Sequence, residues 1–154
     1  MGETGAVTTE NGRPEPPVTS ASIVVLALAR RVENELNAAL ADLDLTVRKL
    51  GLLGHVGRMP GVSFSELARM AGVSVQSVHT SVKALTAAGL VRDSTAKAGA
   101  ASTIELTASG TRLLAEARRV VGEVDERLFG AEADPVRRKL GAAIRHAFEA
   151  GGIG

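Results

Sequence analysis

Gln76, Ser77, His79, Thr80 and Lys83 stand on one side of any helix that buries Val75, Val78, Val82 and Leu85, which recur at i, i+3, i+7 and i+10. A helix that shows amide, hydroxyl, imidazole and amine groups together is suited to base edges and phosphates. Glutamine pairs bidentately with adenine, lysine reaches guanine, and hydroxyls or amines hold the backbone. Ser74 precedes the run as its N-cap. Downstream, Arg92 is placed to meet a phosphate, and Lys97 is a cation at the tip of a loop of small residues. Ser74, Gln76, Ser77, His79, Thr80, Lys83, Arg92 and Lys97 are therefore the candidate contacts to DNA.

Other chemistries lack their residues. There is no Gly-x-Ser-x-Gly, no phosphate-binding loop and no dinucleotide fingerprint, so no enzyme and no cofactor are expected. Gly51, Gly54 and Gly57 repeat every third residue inside a helical stretch, the wrong spacing for cradling phosphate. Three histidines without zinc-ligand spacing, and a lone His146–Glu149 pair, give no metal site. The absence of cysteine removes thiol chemistry. With no Trp or Tyr, and with Phe64, Phe129 and Phe148 as the only aromatics of their kind, the chain has little to stack on unpaired bases, which favours duplex over single strands.

Positioning those side chains takes a winged helix-turn-helix. Ser63 and Glu66 form an S-x-x-E capping box, and Leu67, Ala68 and Met70 give the helix after it an apolar face. Ala71-Gly72-Val73 is the tight turn into the recognition helix, which Gly89 ends as C′. Leu90-Val91 starts one wing strand, and Thr103–Thr107 alternates as its return.

Around this module, residues 1–18 read as a disordered tail without the features of a signal peptide. A first helix, capped by Thr19 or Ser20, runs to about Ala41 with Val25, Leu28, Val32, Leu36 and Leu40 as its stripe. Its apolar run, Ile23–Ala29, is too short to span a bilayer, so a cytoplasmic protein without membrane contact is expected. A second helix, capped by Asp44 or Thr46, ends before Pro60. Thr107 caps a helix of roughly 21 residues, about 30 Å, striped by Leu113, Leu114, Ala117, Val120, Val121, Val124 and Leu128. Asp134-Pro135 opens a last helix, with Val136, Leu140, Ile144, Ala147 and Phe148 expected to face inward. Net charge is −4 over residues 1–45, +4 over 46–107 and +1 over 108–154, so the positive excess lies on the DNA-reading segment. The fold class is mainly α with a small β-wing: a winged helix-turn-helix over 43–107, flanked by dimerisation helices over 19–42 and 108–150. These helices carry more apolar surface than a small winged-helix core covers, which implies a two-fold homodimer.

This order of elements resembles the MarR family of bacterial regulators. The resemblance rests on Leu45-Thr46, Ser65-Glu66-Leu67-Ala68, Gly72-Val73-Ser74, Leu85 with Ala88-Gly89-Leu90-Val91, and Leu106-Thr107-Ala108-Ser109-Gly110, and it covers about residues 20–149. It implies a homodimeric transcription regulator, usually a repressor on a pseudo-palindromic duplex operator, released by a small and often aromatic ligand. Two positions depart from the family's pattern. The wing, Ser94–Ser102, carries no arginine, and Thr80 stands where the family often places one. Base contacts then fall to Gln76, His79 and Lys83. The arginine-poor wing also motivates an alternative, a winged-helix module for protein contacts with weak or lost DNA binding.

The resemblance further implies an effector between the dimer helices and the DNA-binding module. Gly51, Gly54 and Gly57 lie on one side of the second helix, each costing ~1 kcal/mol relative to alanine. Either they permit close packing against the first or fifth helix, or they leave a cavity with His55 and Arg58 beside it. In the second case Arg30 or Arg31 would meet an anionic ligand. Arg30, Arg31, Gly51, Gly54, His55 and Arg58 are the candidate effector residues.

Overall fold

The structure is a computed structural model that describes residues 20–94 and 103–151. The tail, the cap at Thr19, the wing tip with Lys97, and Gly152 lie outside the described residues. The chain divides into two units after Asn34. Helix α1 (Ala21–Leu40) begins in the first and ends in the second. Of its expected stripe, Leu40 is buried and Leu28, Val32 and Leu36 are half-buried, but Val25 is 62% exposed. Ile23, Val24 and Leu26 are exposed beside it. This part of the apolar face therefore finds no cover within the described chain, and the stripe is a core element only toward its C-terminal end.

A 3-10 turn, Ala41–Leu43, follows α1. Asp44 then takes left-handed geometry at φ 54° and donates its N–H to the Ala41 carbonyl, so it is a turn residue and not the next cap. Thr46 caps α2 (Val47–Arg58), its hydroxyl oxygen accepting from the Lys49 N–H at 3.2 Å. Asn37 Oδ1 takes a second orphan amide, that of Val47, at 2.8 Å.

The helix-turn-helix is α3 (Phe64–Ala71) and α4 (Val75–Ala87). Both halves of the capping box are made: Ser63 Oγ accepts from the Glu66 N–H, and Glu66 Oε2 accepts from the Ser63 N–H at 3.0 Å. The Ser63 N–H, and after it the Ser63 hydroxyl, donate to the Glu66 carboxyl and hold it below its ordinary range. Gly72 closes α3 at φ 64°, where a Cβ would be strained. The wing is an antiparallel pair of β1 (Val91–Ser94) and β2 (Thr103–Leu106), in register Val91↔Leu106 through Ser94↔Thr103. Before α3, Val62 makes an isolated antiparallel bridge to Ile104 of β2. Leu52, Leu53, Val56, Leu67, Val78, Val82, Leu85 and Ile104 are buried together, and each contributes roughly 1.5–3 kcal/mol by leaving water.

Helix α5 (Ala108–Phe129) is capped by Thr107. Thr107 also locks the wing to the recognition helix: its hydroxyl donates to Gly89 O at 2.6 Å and its N–H to Leu90 O at 3.0 Å. The following Gly110 lies against the Leu90 carbonyl, where any Cβ would collide with backbone. This gives the Leu106-Thr107-Ala108-Ser109-Gly110 motif its physical reason. Leu114, Ala117, Val124 and Leu128 bury the inward stripe.

Helix α6 (Pro135–Glu149) starts where expected, with Asp134 Oδ1 accepting from Val136 and Arg137. Gly141 lets it approach α5, since a Cβ there would sit 2.7 Å from Phe129 Cβ. Its apolar face departs from expectation. Leu140 and Ala147 are half-buried, but Val136, Ile144 and Phe148 are exposed at 75%, 46% and 67%. Packing on α5 covers the Gly141 side of α6 and leaves this row open. The basic run at its start is partly engaged within the chain: Arg137 pairs with Asp134 at 2.8 Å, and Arg138 donates to Ala131 O. No described helix is long and apolar enough to cross a membrane.

Candidate nucleic-acid interface

Helix α4 is held by Val78, Val82 and Leu85, all buried, and by Ser74, whose oxygen accepts from the Ser77 N–H at 3.1 Å. Val75, expected on the buried face, is 41% exposed, because the first turn stands clear of the core that covers Val78. Gln76, His79, Thr80 and Lys83 are exposed, and Ser77 is half-buried.

Two grooves flank this row. The larger, about 720 Å³, is lined by Phe64, Gln76, His79, Thr80, Val82, Lys83, Thr86, Ala87 and Asp93. The smaller, about 380 Å³, is lined by Thr46, Arg48, Lys49, Gln76, Ser77, Thr80 and Ser81. Gln76 and Thr80 line both, so they form the crest between them. A protruding crest with a hollow on either side is the shape a recognition helix needs to enter a major groove while the flanking strands pass alongside.

Local bonds restrict what the crest can do. The Thr80 hydroxyl donates to Gln76 O at 3.1 Å, and the Ser81 hydroxyl donates to Ser77 O at 2.9 Å. A hydroxyl has one proton to give. With it spent on the helix, Thr80 accepts only, which suits an amino group on a base and not a phosphate. Among the described residues, Gln76 and Lys83 spend none of their side-chain donors. His79 is not a freely rotating surface group: its ring stacks on Phe64, with centroids 4.0 Å apart and planes 12° apart. That contact fixes the ring plane and leaves the imidazole edge to make hydrogen bonds.

Arg92, expected to meet a phosphate, has a partner of its own. Its Nε and terminal NH2 donate to Glu105 Oε2 at 3.0 and 2.6 Å, across the strand pair. Its charge is largely answered at the wing's base. Lys97 lies outside the described residues. Sequence reasoning missed Thr46, Arg48, Lys49 and Phe64. The first three precede the helix-turn-helix by a full helix, and their only signal was a basic pair within the +4 segment.

The candidate effector residues separate. A Cβ on Gly51 or Gly54 would meet nothing within 4 Å, whereas one on Gly57 would lie 3.1 Å from both Leu106 Cδ1 and Leu114 Cδ2. Close packing thus explains Gly57 alone, and Gly51 and Gly54 border open space. His55 is half-buried and Arg58 exposed on the same helix. Arg30 and Arg31 are exposed on α1 in the first unit.

The MarR family's sequence profile matches residues 43–98. The HTH-type transcriptional repressor Rv2887 of Mycobacterium tuberculosis is 35% identical over 107 residues, spanning 69% of this chain and 77% of the relative. Among solved structures, the M. tuberculosis MarR family protein Rv2887 in complex with DNA is similar at TM-score 0.70 and 27% identity, covering 84% of this chain and 98% of the other. The same protein in complex with salicylic acid is similar at TM-score 0.65 and 27% identity, covering 84% and 97%.

Proposed function

The chain belongs to the MarR family of transcription regulators, and we propose that it is a cytoplasmic, homodimeric repressor that binds a pseudo-palindromic duplex operator and is released by a small aromatic carboxylate. The observation that carries the DNA reading is the exposed crest of α4, with Gln76 and Thr80 between two hollows and Lys83 lining the larger one. A relative of the same fold and 27% identity has been solved in complex with DNA. Gln76 and His79 read bases, and Lys83 serves a guanine or a phosphate.

Dimerisation is assigned to 19–42 and 108–150, with 43–107 as the DNA-binding module. Support comes from the exposed apolar residues of α1 and the open row Val136, Ile144 and Phe148 on α6, which a second copy would cover. A two-fold dimer sets the recognition helices about one DNA turn apart, ~34 Å. For the effector, the open sides of Gly51 and Gly54 with His55 and Arg58 favour a ligand at α2, and the relative's salicylic acid complex suggests its class. A ligand that alters the spacing of the recognition helices changes DNA affinity, and DNA changes ligand affinity by the same factor.

Selection of a duplex from a random library, followed by anisotropy titrations with and without salicylate, tests the whole reading. A selected palindrome bound with steep salt dependence, and weakened by salicylate, is the expected result. Binding that ignores both salt and sequence would leave the winged helix as a protein-contact module.

A further inference from the structure

The two hollows beside α4 differ in charge. The larger carries one cation, Lys83, and one carboxylate, Asp93, beside an apolar wall that includes Phe64 and Val82. The smaller carries two cations, Arg48 and Lys49, and no carboxylate, and its remaining lining is hydroxyl and amide. Among the described residues neither cation lies within 4 Å of a carboxylate, whereas Arg92 on the wing is tied to Glu105. Lys49 Nζ donates one proton to Asp44 O at 3.2 Å, leaving two donors, and Arg48 is exposed.

Placed in a major groove, α4 has a phosphate strand on either side. On the larger side the charges of Lys83 and Asp93 offset each other, whereas the side with Arg48 and Lys49 attracts a phosphate. We propose that Arg48 and Lys49, at the start of α2, clamp a backbone phosphate of the strand that lies in the smaller hollow, and so set the register in which Gln76 faces the bases. This rests on the reading of the chain as a duplex-DNA binder and adds its anchor. With Arg92 paired to Glu105 at the wing's base, this anchor adds a backbone grip on the opposite side of the recognition helix.

A phosphate contact carries no sequence information, and each one lost lowers the slope of log K against log salt by about 0.9. Arg48→Gln and Lys49→Gln are measured against a library-selected duplex and a scrambled duplex of equal length, over 50–200 mM KCl. Each variant is expected to flatten the slope by about one and to weaken both duplexes alike, with the advantage of wild type over the variant shrinking roughly three- to fourfold between the low and high ends of that salt range. The ratio of selected to scrambled affinity holds in the single variants. Lys49→Arg retains the slope, and Arg118→Gln on α5 serves as the distant control. If Lys49→Gln loses its fold along with the bond to Asp44, Arg48→Gln and Lys49→Arg still decide the matter. A wild-type slope in the folded Arg48→Gln variant, or a flattened slope in the folded Lys49→Arg variant, overturns the proposal while leaving DNA binding intact. A wild-type protein that binds no duplex in a salt-dependent way overturns both.

Discussion

Replacing Gly54 and Gly57 by alanine, one at a time, separates the two reasons a helix keeps glycine. In an open helical position the exchange gains ~1 kcal/mol of helix propensity, part of it from restricting the unfolded chain. At Gly54 nothing lies within 4 Å of the new methyl, so the full gain is expected. For a chain of 154 residues that raises Tm by about 2–4 °C. At Gly57 the methyl would stand 3.1 Å from Leu106 Cδ1 and Leu114 Cδ2. Carbon atoms prefer about 3.5–4.0 Å, so both leucines must withdraw by a few tenths of an ångström, at a cost on the order of 1 kcal/mol or more. The two terms offset, and Gly57→Ala is expected to be neutral or destabilising. Thermal melts of the ligand-free protein at one fixed concentration give the comparison, since dimerisation makes Tm depend on concentration. A Gly54→Ala protein that melts lower than wild type, beside a harmless Gly57→Ala, would refute the reasoning, because it would mean that the space beside Gly54 is already filled. With the space open, Gly54→Leu abolishes release by salicylate while DNA binding stays near wild type; retained release would move the effector site elsewhere.

Gly110→Ala drives a methyl into the Leu90 carbonyl, so a loss of roughly 1–3 kcal/mol or more is expected in urea denaturation. Gln76→Ala relaxes preference at one base position by roughly 1–3 kcal/mol, whereas Lys83→Ala weakens all duplexes if it holds a phosphate; a competition series with single-base substitutions distinguishes these. The carboxyl of Glu66 is depressed in the folded state by the Ser63 amide and hydroxyl, so its contribution is complete above the ordinary glutamate range and is lost as pH falls below about 4.5 through the lowered value. Melts from pH 6 down to about pH 3 should show less acid destabilisation in Glu66→Gln than in wild type. Ile144→Glu places a charge in the row assigned to dimerisation, and sedimentation should show dissociation; an intact dimer would remove α6 from the interface.

The elements were legible because their signals are local. The Ser63–Glu66 box, Gly72, Ser74, Gly89, Thr107 and Asp134-Pro135 each act within a turn of helix, and each sits where the spacing put it. What a stripe packs against is not local. Val136, Ile144 and Phe148 show the helical period of a core face, yet α5 offers α6 only the side that Gly141 opens. Periodicity states that a face is apolar and is silent on whether its own chain covers it. Val75 failed for a related reason: it keeps the spacing of the buried row but belongs to a turn that extends past the core.

The site was legible in the same measure. Gln76, Thr80 and Lys83 stand at i, i+4 and i+7, so their common face followed from the helical period alone. Their partners came from elsewhere in the chain. Phe64 reaches His79 from the preceding helix, Glu105 reaches Arg92 through strand register, and Arg48 and Lys49 share a hollow with the crest only because the start of α2 stands beside it. Each of these contacts changes what a side chain can do: it fixes an imidazole, neutralises a guanidinium, or adds charge to one flank of the helix. A sequence names the groups that can bind DNA, but which of them remain available to it depends on long-range contacts that no spacing encodes. Arg92 makes the point most directly. It is a cation at the base of a wing, and the Glu105 opposite it is an ordinary cross-strand neighbour. Their register brings the two side chains into an ion pair at the wing's surface, and Glu105→Gln, by freeing Arg92, should therefore strengthen binding to selected and scrambled duplexes alike and steepen the salt slope. Unchanged binding in that variant would show that Arg92 stands too far from the DNA to contribute even when released.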